Sequence, residues 1–335
     1  MLSEKMSEVY DAYDISIIRT MRGRGATIIA AQEGLFYLQM PDISESRLQS
    51  EYAFKERLFQ AGFERIDRCI KNTKDSLVTF DRYNNPYVLR KFFEGRECNI
   101  TDVREICAAV KNLARFHGIG RAVWKETDGD VHIRTTANFR KRNQELKRIR
   151  AFVSKQHPKR SFESLYLSAY DYFCEQAVAC EQAYLLQEKK SDYDFDNHLG
   201  YCHGMYNHHS VLVEQLDNGD LQLNTIGFDQ FYVGNQLADL YHFLRKTVEK
   251  NNYDENILKK ILMTYDIYCP LSKHDLQYIY MLYSYPEKFY KISNQYMNAP
   301  KNWISPKLQE KLEKIMLDEG KKLQLLEQFA QYIET

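Results

Sequence analysis

Short apolar runs punctuated by glycine open the chain. "DISIIRT" (14–20), "ATIIAA" (26–31) and "LFYLQ" (35–39) are bounded by Gly23, Gly25 and Gly34. Such runs with such breakers predict three antiparallel strands joined by tight connections. The period then changes. In "PDISESRLQSEYAFKERLFQAGF", Leu48, Tyr52, Lys55 and Phe59 recur at three to four residues, with Asp42 and Glu45 at capping-box spacing and Gly62 near the end. This predicts a helix. Two more strands follow, "SLVTF" (76–80) and "PYVLRKFF" (86–93).

Beyond "EGREC" (94–98) the pattern turns helical. Residues 102–117 place Ile106, Val110, Leu113 and His117 on one face, 138–153 form a basic helix, and 161–186 a long amphipathic one. The loop "CHGMYNHHSVLV" (202–213) comes next, then a hairpin turning at Asn218-Gly219, then helices from Gln236 onward. The order predicts an α+β fold of two lobes: a small antiparallel-sheet lobe over 1–97 and a large helical lobe over 98–335. That is the layout of a protein-kinase-like fold, in which the 202–213 loop faces the cleft.

Composition narrows the function. The 335 residues carry 46 basic and 46 acidic side chains. A balanced charge gives no reason to expect nucleic acid or an acidic membrane as partner. No apolar run is long enough to span a bilayer, and the charged start lacks a signal peptide's apolar stretch, so a protein kept inside the cell is expected. The seven cysteines are scattered without any Cys-x-x-Cys pair, which argues against a disulfide framework or zinc knuckle. Tyrosine is abundant, with 25 residues, eight of them between Tyr265 and Tyr296. They read as rings lining half-wet helix faces, hydroxyl outward.

The stretches "YVLRKFFEGRECNI", "AVKNLARFH", "RKRNQELKRIR", "CHGMYNHHSVLV", "DLYHFLRK" and "YPEKFYKISNQY" together resemble the CotS-type spore coat proteins of clostridia and relatives. That family is similar in fold to aminoglycoside phosphotransferases and choline kinases. The resemblance runs from about residue 10 to 325 and implies a bilobal kinase-like fold and a place in the spore coat.

Phosphoryl transfer needs a basic clamp on the phosphates, divalent ions held by oxygen ligands, and an aspartate that orients the attacking hydroxyl. The family pattern carries these roles onto particular positions. His-Gly-Asp, four residues, then Asn falls on His203, Gly204, Met205 and Ser210. Met205 replaces the base, and a thioether cannot do its work. Such a loss costs on the order of a hundred- to ten-thousand-fold in rate. Ser210 replaces a metal-binding amide. The second metal carboxylate falls on Gly227 in "TIGFDQF"; Asp229 lies two residues on and would share its face along an extended strand. The phosphate-clamping lysine of the third strand falls on Gln39, which leaves its helix partner Glu51 free to face solvent. The phosphate-covering turn is reduced to Gly23 and Gly25, flanked by Arg22 and Arg24. His203 and Asp239 are retained, the first read as packing beneath the loop, the second as capping a helix and holding the loop's backbone. His208 and His209 are adjacent, not at a helical ligand spacing, and read as exposed polar residues rather than a metal site.

Four losses at four different requirements imply a pseudokinase, a binding or scaffold component of the spore coat. No cofactor and no metal are expected, and the expected partners are other coat proteins. The protein would be made in the mother-cell cytoplasm and deposited on the coat. The alternative is a small-molecule phosphotransferase using ATP and magnesium through an atypical metal site at Asp229. A third reading is binding of a nucleotide or sugar without transfer.

Overall fold

The computed structural model describes residues 6–23, 25–125, 133–134, 138–188, 195–299 and 305–334. In chain order its elements are α1 (Ser7–Tyr10), β1 (Ile17–Arg22), β2 (Thr27–Ala31), β3 (Gly34–Gln39), α2 (Glu45–Gln60), β4 (Cys69–Ile70), β5 (Thr79–Phe80), β6 (Pro86–Lys91), β7 (Arg96–Glu97), α3 (Val103–Val123) and β8 (Ile133–Arg134). Then come α4 (Phe139–Ser154), α5 (Ser161–Glu188), β9 (Leu199–Cys202), β10 (Val211–Gln215), β11 (Leu221–Thr225), β12 (Tyr232–Asn235), α6 (Leu237–Lys250), α7 (Glu255–Tyr268), α8 (Lys273–Ser284), α9 (Glu287–Asn298) and α10 (Pro306–Glu334).

The chain divides into two compact units. The first comprises Met1–Arg134, His198–Thr247 and Lys260–Cys269; the second comprises Thr135–Asn197, Val248–Lys259 and Pro270–Thr335.

In the first unit the main sheet is antiparallel, in the order β1-β2-β3-β6-β4, with β5 paired to β6. Strand alternation sorts its side chains onto two faces. Phe36, Leu38 and Leu89 pack with Val9, Tyr10 and Tyr13 on one side. Val88 packs with Leu48 of α2 on the other. Arg90, two residues from Val88, is thereby aimed at α2. Tyr37 lies directly across from Arg90 in the β3–β6 register.

The expected capping box of α2 does not form. Ser44 is the N-cap, its hydroxyl accepting from the Arg47 N–H at 3.3 Å. The predicted strand at 76–80 shrinks to Thr79–Phe80, because Asn72 and Ser76 hold that segment in a side-chain-bonded turn. The helix read over 102–117 continues to Val123, starting from an Asp102 cap that takes the Arg104 N–H at 2.8 Å.

An aromatic knot centres this unit. Phe54 stacks on Phe231 at 4.9 Å between ring centres and meets Phe116, Tyr201 and Phe228. In the second unit α4, α5, α8, α9 and α10 pack on one another, with Phe289 stacked between Tyr166 and Phe173. Of the eight late tyrosines read as half-wet, Tyr268, Tyr280 and Tyr290 are partly exposed, and the other five are not. Tyr265, Tyr278, Tyr283, Tyr285 and Tyr296 are all buried. Tyr296 donates to Glu163 at 2.7 Å, Tyr285 to Asn143 at 3.2 Å, and the Tyr265 hydroxyl meets His117 at 2.7 Å.

Since Phe54 is fully buried among four aromatic rings, Phe54→Ala is expected to cost about 3–5 kcal/mol. A urea titration followed by circular dichroism would register this as a lower midpoint.

Candidate functional site

The first unit contains both the sheet and the 202–213 loop, so the candidate site is built within it. The loop's turn is shaped by backbone needs. Gly204 has φ +84°, and a Cβ there would collide with the Gln230 carbonyl. Asp239, in the first turn of α6, takes the His203 N–H at 2.6 Å and the Gly204 N–H at 2.9 Å. Its carboxylate therefore grips the start of the loop with both oxygens. His203 is fully buried; its Nε2 faces the Ile226 carbonyl at 3.0 Å, and its Nδ1 accepts the Met205 N–H at 3.3 Å. That pattern makes the ring a neutral Nε2–H tautomer, and burial lowers its pKa in agreement.

Behind the loop, His117 lies 3.4 Å from Asp239 and 2.7 Å from the Tyr265 hydroxyl. Burial drives the His117 pKa down to about 4, so the ring is neutral and donates to Asp239. Burial works against the Asp239 charge, yet the His117 hydrogen bond and the two neighbouring rings outweigh it and keep the carboxyl ionised.

The chemical positions of the loop hold no carboxylate. Met205 is 42% exposed. Ser210 is buried and committed to the loop's own geometry: its hydroxyl donates to the Asn207 carbonyl at 2.8 Å and accepts the Asn207 N–H at 2.9 Å. Gly227 sits in the left-handed region at φ +79°, and its N–H donates to Asp67 Oδ2 at 2.8 Å. Residues 227–229 are therefore not the extended strand expected; Asp229 is the middle residue of one turn of 3-10 helix, Phe228–Gln230.

The clamp position is filled in a way the sequence reading missed. Glu51 does not face solvent but is fully buried. Its Oε1 pairs with Lys55 Nζ at 2.5 Å and its Oε2 with an Arg90 nitrogen at 2.8 Å. Lys55 also pairs with Asp67 at 2.7 Å, and Arg90 reaches Asp229 at 3.4 Å. The third-strand side chain that enters this cluster is Tyr37, donating to Asp67 Oδ2 at 2.9 Å. Gln39 makes no side-chain hydrogen bond to it among the described residues.

Three carboxylates and two cations thus pair with one another, with one negative charge in excess. Burial disfavours the Lys55 charge, but Asp67 and Glu51 outweigh it and raise its pKa. Asp229 is pushed up by burial and pulled back by Arg90. Its side chain stays 46% exposed, which makes it the one carboxylate of the cluster open to solvent.

Gly23 and Gly25 form the β1–β2 turn, where the Gly23 N–H bonds the Ala26 carbonyl at 2.8 Å. Arg24 lies outside the described residues. On α4, Arg140, Lys141, Lys147, Arg148 and Arg150 are exposed, while Arg142 pairs with Glu287 at 2.6 Å.

Removing the Glu51 charge would take one carboxylate partner from each of two buried cations. Glu51→Gln is therefore expected to lose about 3–5 kcal/mol of stability, read as a fall in the urea midpoint. A second outcome concerns acid. His117 takes up a proton near 6.5 when unfolded but only near 4 when folded. The unfolded chain thus binds the extra proton between those values, and stability falls as pH drops through that window. Asp239, with a lowered pKa, adds to the loss at still lower pH. Unfolding titrations from pH 7 to pH 4 should show this slope, and His117→Gln should flatten it.

The fold and the sequence both have known counterparts. An aminoglycoside phosphotransferase from Alicyclobacillus acidocaldarius superposes with a TM-score of 0.77 at 16% identity, covering 97% of this chain and 95% of that one. A spectinomycin phosphotransferase solved with ADP and spectinomycin gives 0.60 at 12% identity, over 92% and 95%. The choline kinase LicA from Streptococcus pneumoniae gives 0.50 at 11% identity, over 94% and 96%. At such identities the likeness shows the fold alone: the aminoglycoside phosphotransferase and choline kinase-like fold, as the CotS-type resemblance implied. No curated protein matches the chain. The model of the family described as "Spore coat putative kinase YutH" matches residues 6–329, and the chain belongs to that family.

Proposed function

We propose that this protein is a pseudokinase of the spore coat, a binding or scaffold component that keeps the kinase-like fold without its chemistry. The observation that carries this reading is the state of the Gly227 position. Where the second metal carboxylate would stand there is no side chain, and the backbone N–H is tied to Asp67. The other positions support the same reading. Met205 offers a thioether, and the Ser210 hydroxyl is bonded within its own turn. Glu51 is engaged by Lys55 and Arg90, and Lys55 by Asp67 as well, where a lysine on the third strand would face phosphates.

The reading extends to partners and place. Other coat proteins are the proposed partners, neither nucleic acid nor membrane lipid is engaged, and assembly follows synthesis in the mother-cell cytoplasm. Among the described residues no helix is long and apolar enough to cross a membrane. The half-exposed Asp229 favours a second reading, a small-molecule phosphotransferase that takes magnesium and ATP at that carboxylate. Its standing pairing with Arg90 weighs against this.

Thermal melting with and without magnesium-ATP separates the two. Binding at a hundred times its dissociation constant would stabilise by about 2.7 kcal/mol, so even a weak nucleotide site would raise the melting temperature. No rise and no phosphate transfer are expected. Transfer by the wild type that is abolished in Asp229→Ala would replace the pseudokinase reading with the phosphotransferase.

A further inference from the structure

One group of metal-ligating side chains comes together in the first unit away from the Glu51 cluster. Glu97, His208 and His209 each bring one ligand atom within 4.8 Å of the others. No sequence spacing announces the trio, since more than a hundred residues separate Glu97 from the histidines. The fold assembles it. β7 pairs with β10 so that Glu97 stands opposite Leu212. The Cys98 N–H donates to the carbonyls of His208 and Val211 at 3.2 and 2.9 Å. The strand that carries the carboxylate is thereby bonded to the loop that carries the rings.

The loop also orients its histidines. Asn207 Oδ1 accepts the His209 N–H at 3.0 Å. The two imidazoles lie 3.8 Å apart between centres, and His209 Nδ1 is 2.7 Å from Glu97 Oε2. The Glu97 and His209 side chains are about half exposed, at 51% and 49%. An ion can therefore reach them, and they have room to adjust around it.

We propose that Glu97, His208 and His209 form a divalent metal site of the zinc class. Two imidazole nitrogens and one carboxylate oxygen suit zinc or a neighbouring transition ion, whereas magnesium and calcium favour all-oxygen sets. Three protein ligands leave a fourth position to water. The nearby thiol of Cys98 is not a ligand: it is buried and directed at the Glu105 carbonyl, 3.8 Å away. Bound there, the ion would cross-link β7 to the 202–213 loop. The site does not depend on the pseudokinase reading, because it involves none of the positions that would hold nucleotide.

The test is a zinc titration of the intact purified chain, with cobalt(II) absorption and thermal melting as parallel readouts. One metal per chain, a tetrahedral cobalt spectrum and a raised melting temperature are expected. Glu97→Gln and His209→Ala should each weaken binding by more than about tenfold while melting like the wild type in metal-free buffer. If either variant fails to fold, the other carries the comparison, and the wild-type cobalt spectrum distinguishes nitrogen and oxygen ligands from thiolates. Absence of stoichiometric uptake overturns the proposal, leaving Glu97 and His209 as a surface hydrogen-bonded pair. So does uptake that persists in both variants, or a cobalt spectrum dominated by thiolate.

Discussion

The arrangement of the first unit depends on one buried carboxylate. Glu51 holds a lysine from its own helix and an arginine from β6, and neither it nor they reach solvent. Buried charge is tolerated only when fully compensated. Asp67 therefore has to stand beside Lys55, Tyr37 has to turn its hydroxyl to Asp67, and the Gly227 N–H takes a remaining lone pair. The result ties α2, two strands and the segment after the hairpin into one polar knot beneath the sheet. In a phosphotransferase such a glutamate positions a cation for phosphate. Here each cation stands against a buried carboxylate.

The opposite wall is organised by a second carboxylate. Asp239 fixes His203 and Gly204 of the 202–213 loop through their backbone N–H groups. His117 and His203 stay neutral and support it from inside. The loop's geometry is thus set by Asp239 and two buried histidines, while Met205, Ser210 and Gly227 stand further along the chain.

Much of this was legible in the sequence, and the misses have physical causes. Periodicity located the strands and helices, and the resemblance located Met205, Ser210 and Gly227. The stripe of α2 already contained Lys55 among Leu48, Tyr52 and Phe59, and a lysine on an apolar face is a signal for a buried ion pair. The same signal marks Glu51, four residues earlier on the same helix. Arg90 within "YVLRKFF" is the same kind of signal. Asp67 had none, since it lies in an irregular segment where no period applies. Nor could the meeting of Glu97 with His208 and His209 be read, because it arises from long-range strand pairing.

The polar knot also bears on how the chain is made. Glu51, Lys55, Asp67 and Arg90 lie within forty residues of one another, two of each sign. Asp229, the half-exposed fifth member, arrives far later. The amino-terminal sheet can therefore balance its interior charges while the ribosome is still translating the rest. Its aromatic interior closes only when Phe228 and Phe231 arrive to meet Phe54.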